Sequence, residues 1–218
     1  MFDNERVWGT TEESIANTAE SYFHQLFTST NPANVDTVLD SVDNLVTPTM
    51  NATLLQRYTP EEVKIALFQM HPSKAPGLDG MSRFFFQKFW HIIGPDVTAA
   101  ILSVLNSSHM LKKMNYTHIF LIPKKNDPKH MADYGPISLG NVVSRIISKV
   151  IANCLKLILP NVISNVQSAF VPNRLITNNT SIAYELLHKM RNKRKGKLGQ
   201  MAFKLDISKA YDKVEWLF

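Results

Sequence analysis

The sequence predicts an α+β chain that is mostly helical, and three observations carry that prediction. Apolar residues recur at helical spacing over long stretches, some opened by a threonine cap and closed by proline. Two short apolar runs, at 117–124 and 133–139, flank an Asn126-Asp127-Pro128 turn and suit a hairpin. A third short apolar run, 201–207, stands just ahead of another stretch at helical spacing. It reads as a mostly buried strand, with Asp206 placed where the strand stops and a helix starts.

In chain order, Thr10-Thr11-Glu12-Glu13 reads as a capping box with Thr10 as the cap. Ile15, Ala19, Tyr22, Phe23, Leu26 and Phe27 then predict an amphipathic helix to about Thr28. Residues 29–58, with Ser, Thr, Asn, Pro and Asp, read as a connector holding one short helix. Thr59-Pro60-Glu61-Glu62 is the clearest helix start in the chain, and Val63, Ala66, Leu67 and Met70 give that helix its apolar side. His71-Pro72 ends it, and the segment from Ser73 to Met81 is a loop by composition.

Phe85, Phe86, Phe89 and Trp90 keep helical spacing, which favours core packing over base stacking. Gly94-Pro95-Asp96 should break and restart that helix, which then runs to about Met110. Ile119 to Ile122 reads as a buried strand. From Asn141 to Leu159, the residues Val142, Val143, Ile146, Ile147, Val150 and Ile151 form the stripe of a long helix stopped by Pro160. Its basic side, with Arg145, Lys149 and Lys156, is either solvated or lines a channel for a nucleic-acid strand. Asn178 to Met190 predicts the next helix, which leads into the basic run from Lys189 to Lys197. That run is a solvated loop, a phosphate-contacting turn or a nuclear-entry signal.

At 218 residues, 44% of them hydrophobic, the chain can bury a core. No apolar run approaches a membrane span, and Met1 to Glu5 holds no apolar segment of a secretory signal. The single cysteine, Cys154, excludes an internal disulfide and a cysteine-built zinc site. These features predict an intracellular protein, in nucleus or cytoplasm, neither secreted nor held in a membrane. Charge divides the chain: through Glu62 ten acidic and two basic residues give −8, and the remaining 22 basic and 8 acidic residues give +14. So basic a body suits a polyanion, nucleic acid being the commonest, with solvated surface lysines as the plainer alternative.

Two candidate sites follow from residue chemistry. A carboxylate at a strand end suits metal-assisted phosphoryl transfer, because a hard cation takes carboxylate oxygen and the N–H groups of a helix start can hold phosphate. Asp206 followed by Ser208 is also explained as a turn and cap device. In the loop from Gln167 to Arg174, Phe170 could stack on a base and Arg174 contact a phosphate, or the segment is structural.

The string FKLDISKAYDKVEW at 203–216 resembles the first catalytic motif of reverse transcriptases from LINE-type, non-LTR retrotransposons, especially those of plants. Five further strings agree in order: SKAPGLDGM at 73–81, IFLIPKK at 119–125, DYGPISL at 133–139, ISKVIANCLK at 147–156 and QSAFVPNRLITNN at 167–179. The resemblance covers about residue 60 to the end. It implies an acidic helical extension over 1–58 and, over 59–218, the fingers and partial palm of a right-hand polymerase whose palm sheet is incomplete.

The resemblance also assigns roles. Asp206, with the carbonyl of Ile207, would hold Mg2+ for a two-metal reaction. Ser208, Lys209 and Ala210 would face the triphosphate, as would Lys124 and Lys125 on the fingers hairpin. Tyr211 matches the aromatic gate that selects deoxynucleotides. Gln167, Phe170 and Arg174 would contact template or primer, the partners being an RNA template, a DNA primer and deoxynucleoside triphosphates. Three positions depart from the pattern: Gly135 and Cys154 stand where arginine is usual, and Asn178 where aspartate is frequent. At Gly135 the phosphate therefore loses a planar fork of donors. The later Asp-Asp motif is absent from the sequence, so the chain is expected to be inactive alone and poorly soluble along its unfinished sheet. The alternative is a non-catalytic remnant that binds nucleic acid.

Overall fold

A computed structural model describes residues 9–33, 35–193, 201–207 and 214. There the helical spacing resolves into α1 (Glu12–Phe27), α2 (Val35–Leu39), α3 (Pro48–Leu54), α4 (Pro60–Phe68), α5 (Arg83–Lys88), α6 (Trp90–Ser107) and α7 (Lys112–Asn115). A hairpin of β1 (Thr117–Pro123) and β2 (Tyr134–Gly140) follows, then α8 (Val142–Leu155), α9 (Leu159–Val162) and α10 (Ile176–Asn192). The chain divides into two compact units. The first contains α1, α2, α4 to α7, the hairpin and the start of α8; the second contains α3, the end of α8, α9, α10 and residues 201–207.

The core of the first unit is built by α4, α5, α6 and α8. Val63, Ala66 and Leu67 of α4, Ile101 of α6 and Ile146 of α8 are fully buried, with Phe86, Val142, Ile147 and Val150 packed among them. Each such aliphatic side chain contributes roughly 1.5–3 kcal/mol relative to exposure. The start of α4 is the capping box read from the sequence: Thr59 N donates to Glu62 Oε2 at 2.7 Å and Glu62 N to Thr59 Oγ1 at 3.4 Å. Its other end is closed by a side chain from α5, since Gln87 Nε2 donates to the carbonyls of Leu67 (3.0 Å) and Met70 (2.9 Å). The Leu67 carbonyl also accepts from Met70 N at 3.0 Å, so the Gln87 amide ties α5 to the turn that follows α4.

Several expectations change in the structure. The cap of α1 is Thr11 rather than Thr10, because Thr11 Oγ1 is the acceptor for Ser14 N at 3.2 Å. Residues 29–58 hold two short helices, α2 and α3, rather than one. The break expected at Gly94-Pro95 falls one turn earlier, at Phe89 (φ −100°, ψ 17°), and Pro95 lies inside α6. Gly94 is what brings that turn against Trp90, for a Cβ there would stand 2.9 Å from the indole. The long helix ends at Leu155, and Pro160 starts α9 instead of stopping α8, in keeping with the preference of proline for a first helical turn.

The hairpin pairs antiparallel from Thr117↔Gly140 to Pro123↔Tyr134, as the two apolar runs predicted. Its burial does not follow the prediction: Ile119, Phe120 and Ile122 remain about half exposed. Two strands present two faces, and among the described residues no second sheet covers the outer one.

Candidate nucleic-acid interface

At the closed end of the hairpin the chain turns around one carboxylate. Lys124 N donates to Asp133 O at 2.8 Å and closes the ladder beyond the last strand pair. Asp133 Oδ2 then accepts from Lys129 N and His130 N, both at 2.9 Å, and pairs with Lys125 Nζ at 3.0 Å. The backbone donor of His130, the Lys125 ammonium and the backbone donor of Lys129 together hold its carboxyl well below the usual aspartate range. Lys124 Nζ reaches the Ala132 carbonyl at 3.5 Å, and its Cε lies 3.4 Å from where a Cβ on Gly135 would sit. The structure thus holds Lys124 and Lys125 by different partners at an exposed tip, Lys124 lying beside Gly135. The sequence did not single out Asp133, whose partners at positions 125, 129 and 130 carry no spacing signature.

The other named loop belongs to the second unit. Arg174 turns its fork onto its own loop: Nη1 donates to the carbonyls of Ser164 and Gln167 (2.8 Å to the latter), and Nη2 to Ile163 O and Asn165 Oδ1, both at 3.4 Å. Its first effect is to fix the loop. Gln167 Nε2 donates to Ala169 O at 3.4 Å. Phe170 is held at φ 64° with 79% of its surface exposed. A bulky residue at positive φ is a local outlier, of the kind that collects where a side chain must be presented. Ser168 beneath it is buried and donates to Asn179 Oδ1 at 2.7 Å, which ties the loop to α10.

Residues 201–207 do not form the buried strand expected from their sequence. They carry no regular structure, and Met201, Phe203, Leu205 and Ile207 are 78%, 76%, 85% and 68% exposed. A strand needs a neighbour to receive its N–H and C=O groups. Among the described residues, the only ladder is that of β1 with β2. Asp206 and Ile207 are exposed there, while Ser208, Lys209, Ala210 and Tyr211 lie outside the described residues. No group of three or more His, Cys, Asp or Glu side chains able to hold a metal gathers among the described residues. Two magnesium ions need several oxygen ligands. Asp206 and the Ile207 carbonyl do not by themselves fit that pair.

Two arginines complete the inventory. Arg83, which opens α5, and Arg145 on α8 are half-buried neighbours, and Arg83 was not marked by any sequence signal beyond its position ahead of an aromatic run. Arg145 Nη2 donates to the Ser138 carbonyl of β2. Among the described residues no helix is long and apolar enough to cross a membrane.

Residues 122–218 match the family described as reverse transcriptase (RNA-dependent DNA polymerase). The match begins inside β1 and runs through Lys124, Lys125, the Gln167–Arg174 loop and Asp206. Over 205 residues, 93% of the chain, the sequence is 33% identical to the transposon TX1 uncharacterized 149 kDa protein of Xenopus laevis. The chain spans 15% of that protein's length. From β1 onward this is reverse-transcriptase-like sequence, in a chain similar along most of its length to a transposon protein.

Proposed function

We propose that the chain is the fingers and first palm segment of an RNA-directed DNA polymerase of a non-LTR retrotransposon, and that as a polypeptide it binds nucleic acid without polymerising. The observation that supports this reading is the hairpin end within the reverse-transcriptase-like span, where Lys125 pairs with the Asp133 carboxylate and Lys124 is anchored to Asp133 through its backbone N–H. Two ammonium groups on a rigid turn suit the phosphates of a deoxynucleoside triphosphate. Gln167, Phe170 and Arg174 contribute the template or primer contact, Phe170 through its exposed ring.

Asp206 is one ligand toward Mg2+, with the Ile207 carbonyl beside it, and Ser208, Lys209, Ala210 and Tyr211 take the nucleotide roles that the family resemblance assigns. When bound, the ions would supply the charge stabilisation of phosphoryl transfer. The donor set described is too small for that, so no primer extension is expected of these 218 residues. The acidic segment 1–58 serves as an extension to the basic body, and the polynucleotide partner is met inside the cell.

A filter-binding series with single-stranded RNA at rising salt tests the reading. Affinity should fall along a log–log line, with a slope of about −0.7 for each phosphate neutralised. Lys124→Ala with Lys125→Ala should flatten the slope and weaken deoxynucleotide binding more than RNA binding. A wild-type affinity indifferent to salt would end the proposal.

A further inference from the structure

At the opposite end of the hairpin from the lysines, three polar atoms are buried without a protein partner: Arg83 Nη1, Thr117 Oγ1 and Asn141 Oδ1. Such atoms are rare because each costs the free energy of a lost hydrogen bond to water. Two of these atoms, Arg83 Nη1 and Thr117 Oγ1, can donate, and the third only accepts. Thr117 begins β1 and pairs with Gly140. A Cβ on Gly140 would stand 3.3 Å from Ser144 Oγ, 3.5 Å from Thr117 Oγ1 and 3.6 Å from Arg145 Nε. The absent side chain therefore leaves a point ringed by two hydroxyls and a guanidinium. Ser144 Oγ already donates to Asn141 O at 2.8 Å, which leaves Thr117 as the hydroxyl with a proton to give.

Thr117, Gly140, Ser144 and Arg145 line a cavity of about 200 Å³ together with Asn115 and Ser148. It is smaller than the roughly 300–1,000 Å³ of pockets that enclose a drug-sized ligand, so it would admit a small polar group and leave a sugar and base outside. The charge around it has one sign. Arg83 and Arg145 are neighbours, burial and the adjacent Arg145 both depress the Arg83 pKa, and neither guanidinium meets a carboxylate among the described residues. Two half-buried cations without a counterion repel each other, and an anion bound beside Arg145 would offset that repulsion.

The geometry points to a phosphate-binding site formed by Thr117, Arg145 and the open space at Gly140, with the Arg83 charge adjacent to Arg145 but outside the cavity lining. It lies about 24 Å along β1 from Lys124, at roughly 3.4 Å per strand residue, so one phosphate here and another at the lysine tip are different contacts. The phosphate is either an internucleotide group of a polynucleotide or a small free phosphate, and both present the same tetrahedral oxygens to the same donors. The inference shares with the proposed function only the polyanion; it requires no catalysis.

The test uses the full chain and three variants: Arg145→Gln, Thr117→Val, which keeps shape and removes the hydroxyl, and Gly140→Ala, which fills the space without changing charge. Circular dichroism first establishes that each is folded. One arm measures binding of single-stranded RNA across salt; the other measures the thermal shift given by inorganic phosphate against chloride at equal ionic strength. Arg145→Gln should weaken RNA binding about tenfold, alike for all sequences, and lower the salt slope by about one phosphate contact. Thr117→Val and Gly140→Ala should weaken it about threefold with the slope unchanged.

Loss in the RNA arm alone assigns the site to a polynucleotide phosphate, and loss of the phosphate shift assigns it to a free one; either supports the inference. If every folded variant keeps wild-type RNA affinity, slope and phosphate response, the site does not exist. If the wild-type chain binds no RNA at all, the proposed function fails, while the phosphate arm still decides this one.

Discussion

Leu67 and Leu205 belong to apolar stretches of similar make-up, yet Leu67 is fully buried and Leu205 is 85% exposed. The segment around Leu67 becomes α4, whose backbone groups pair within the segment and whose side chains need only another apolar face. The segment around Leu205 reads as a strand, and a strand's backbone groups are satisfied only by a neighbour. The hairpin stands between them: β1 and β2 pair with each other, and their side chains end about half buried. Apolar spacing thus states what a segment would bury, and the backbone decides whether it needs a partner to do so.

The sharpest way to break this comparison is Leu67→Ala. It should destabilise the first unit by about 2–5 kcal/mol in a denaturant titration, since the site is enclosed on all sides. Gln87→Leu comes next. Removing the amide takes one donor from each of the Leu67 and Met70 carbonyls, the former keeping Met70 N, and should cost about 1–3 kcal/mol. Helix closure by a remote side chain would then be as necessary as the capping box at the other end.

The hairpin offers an intermediate effect. Gly135→Arg restores the guanidinium that the resembled family carries, and its Cβ would meet only Lys124 Cε, at 3.4 Å, and the Ile122 carbonyl, at 3.9 Å. Deoxynucleoside triphosphate binding, read by fluorescence quenching, should tighten about tenfold. A smaller effect belongs to Asp133. Its carboxyl is held low in the folded chain, so its stabilisation is complete above the unfolded aspartate value of about 4 and is lost as pH falls through the folded value. The amide shift of Lys129 should show a transition below about pH 4, where the Asp133 carboxylate takes up its proton. In Asp133→Asn that low-pH transition should vanish.

Least affected should be Phe203→Ser with Leu205→Ser. With 76% and 85% of their surface already in water, stability should move by no more than about 0.5 kcal/mol, while solubility rises. A loss of several kcal/mol would mean that 201–207 has a partner after all.

How much was legible in the sequence follows the same division. The α4 capping box, its apolar face, the paired runs of the hairpin and the helical stripe of α8 are local patterns, and all are in the structure. The Asp133 turn, the Gln87 closure of α4 and the Arg83–Arg145 neighbourhood join residues 3 to 62 positions apart with no periodicity, so nothing in the sequence announces them. Arg174 was legible as a loop arginine, but its hold on Ser164 and Gln167 was not. The strand expected at 201–207 failed for the opposite reason: its pattern was clear, and its partner was not described by the pattern.

The central claim is that these residues can grip phosphates but cannot by themselves assemble a two-metal centre. Primer extension on an RNA template with Mg2+, run for the wild-type chain and for Asp206→Ala beside an RNA-binding control, tests it most directly. The account predicts salt-sensitive RNA binding by both proteins and no incorporated nucleotide from either. Incorporation by the wild type that Asp206→Ala abolishes would contradict it.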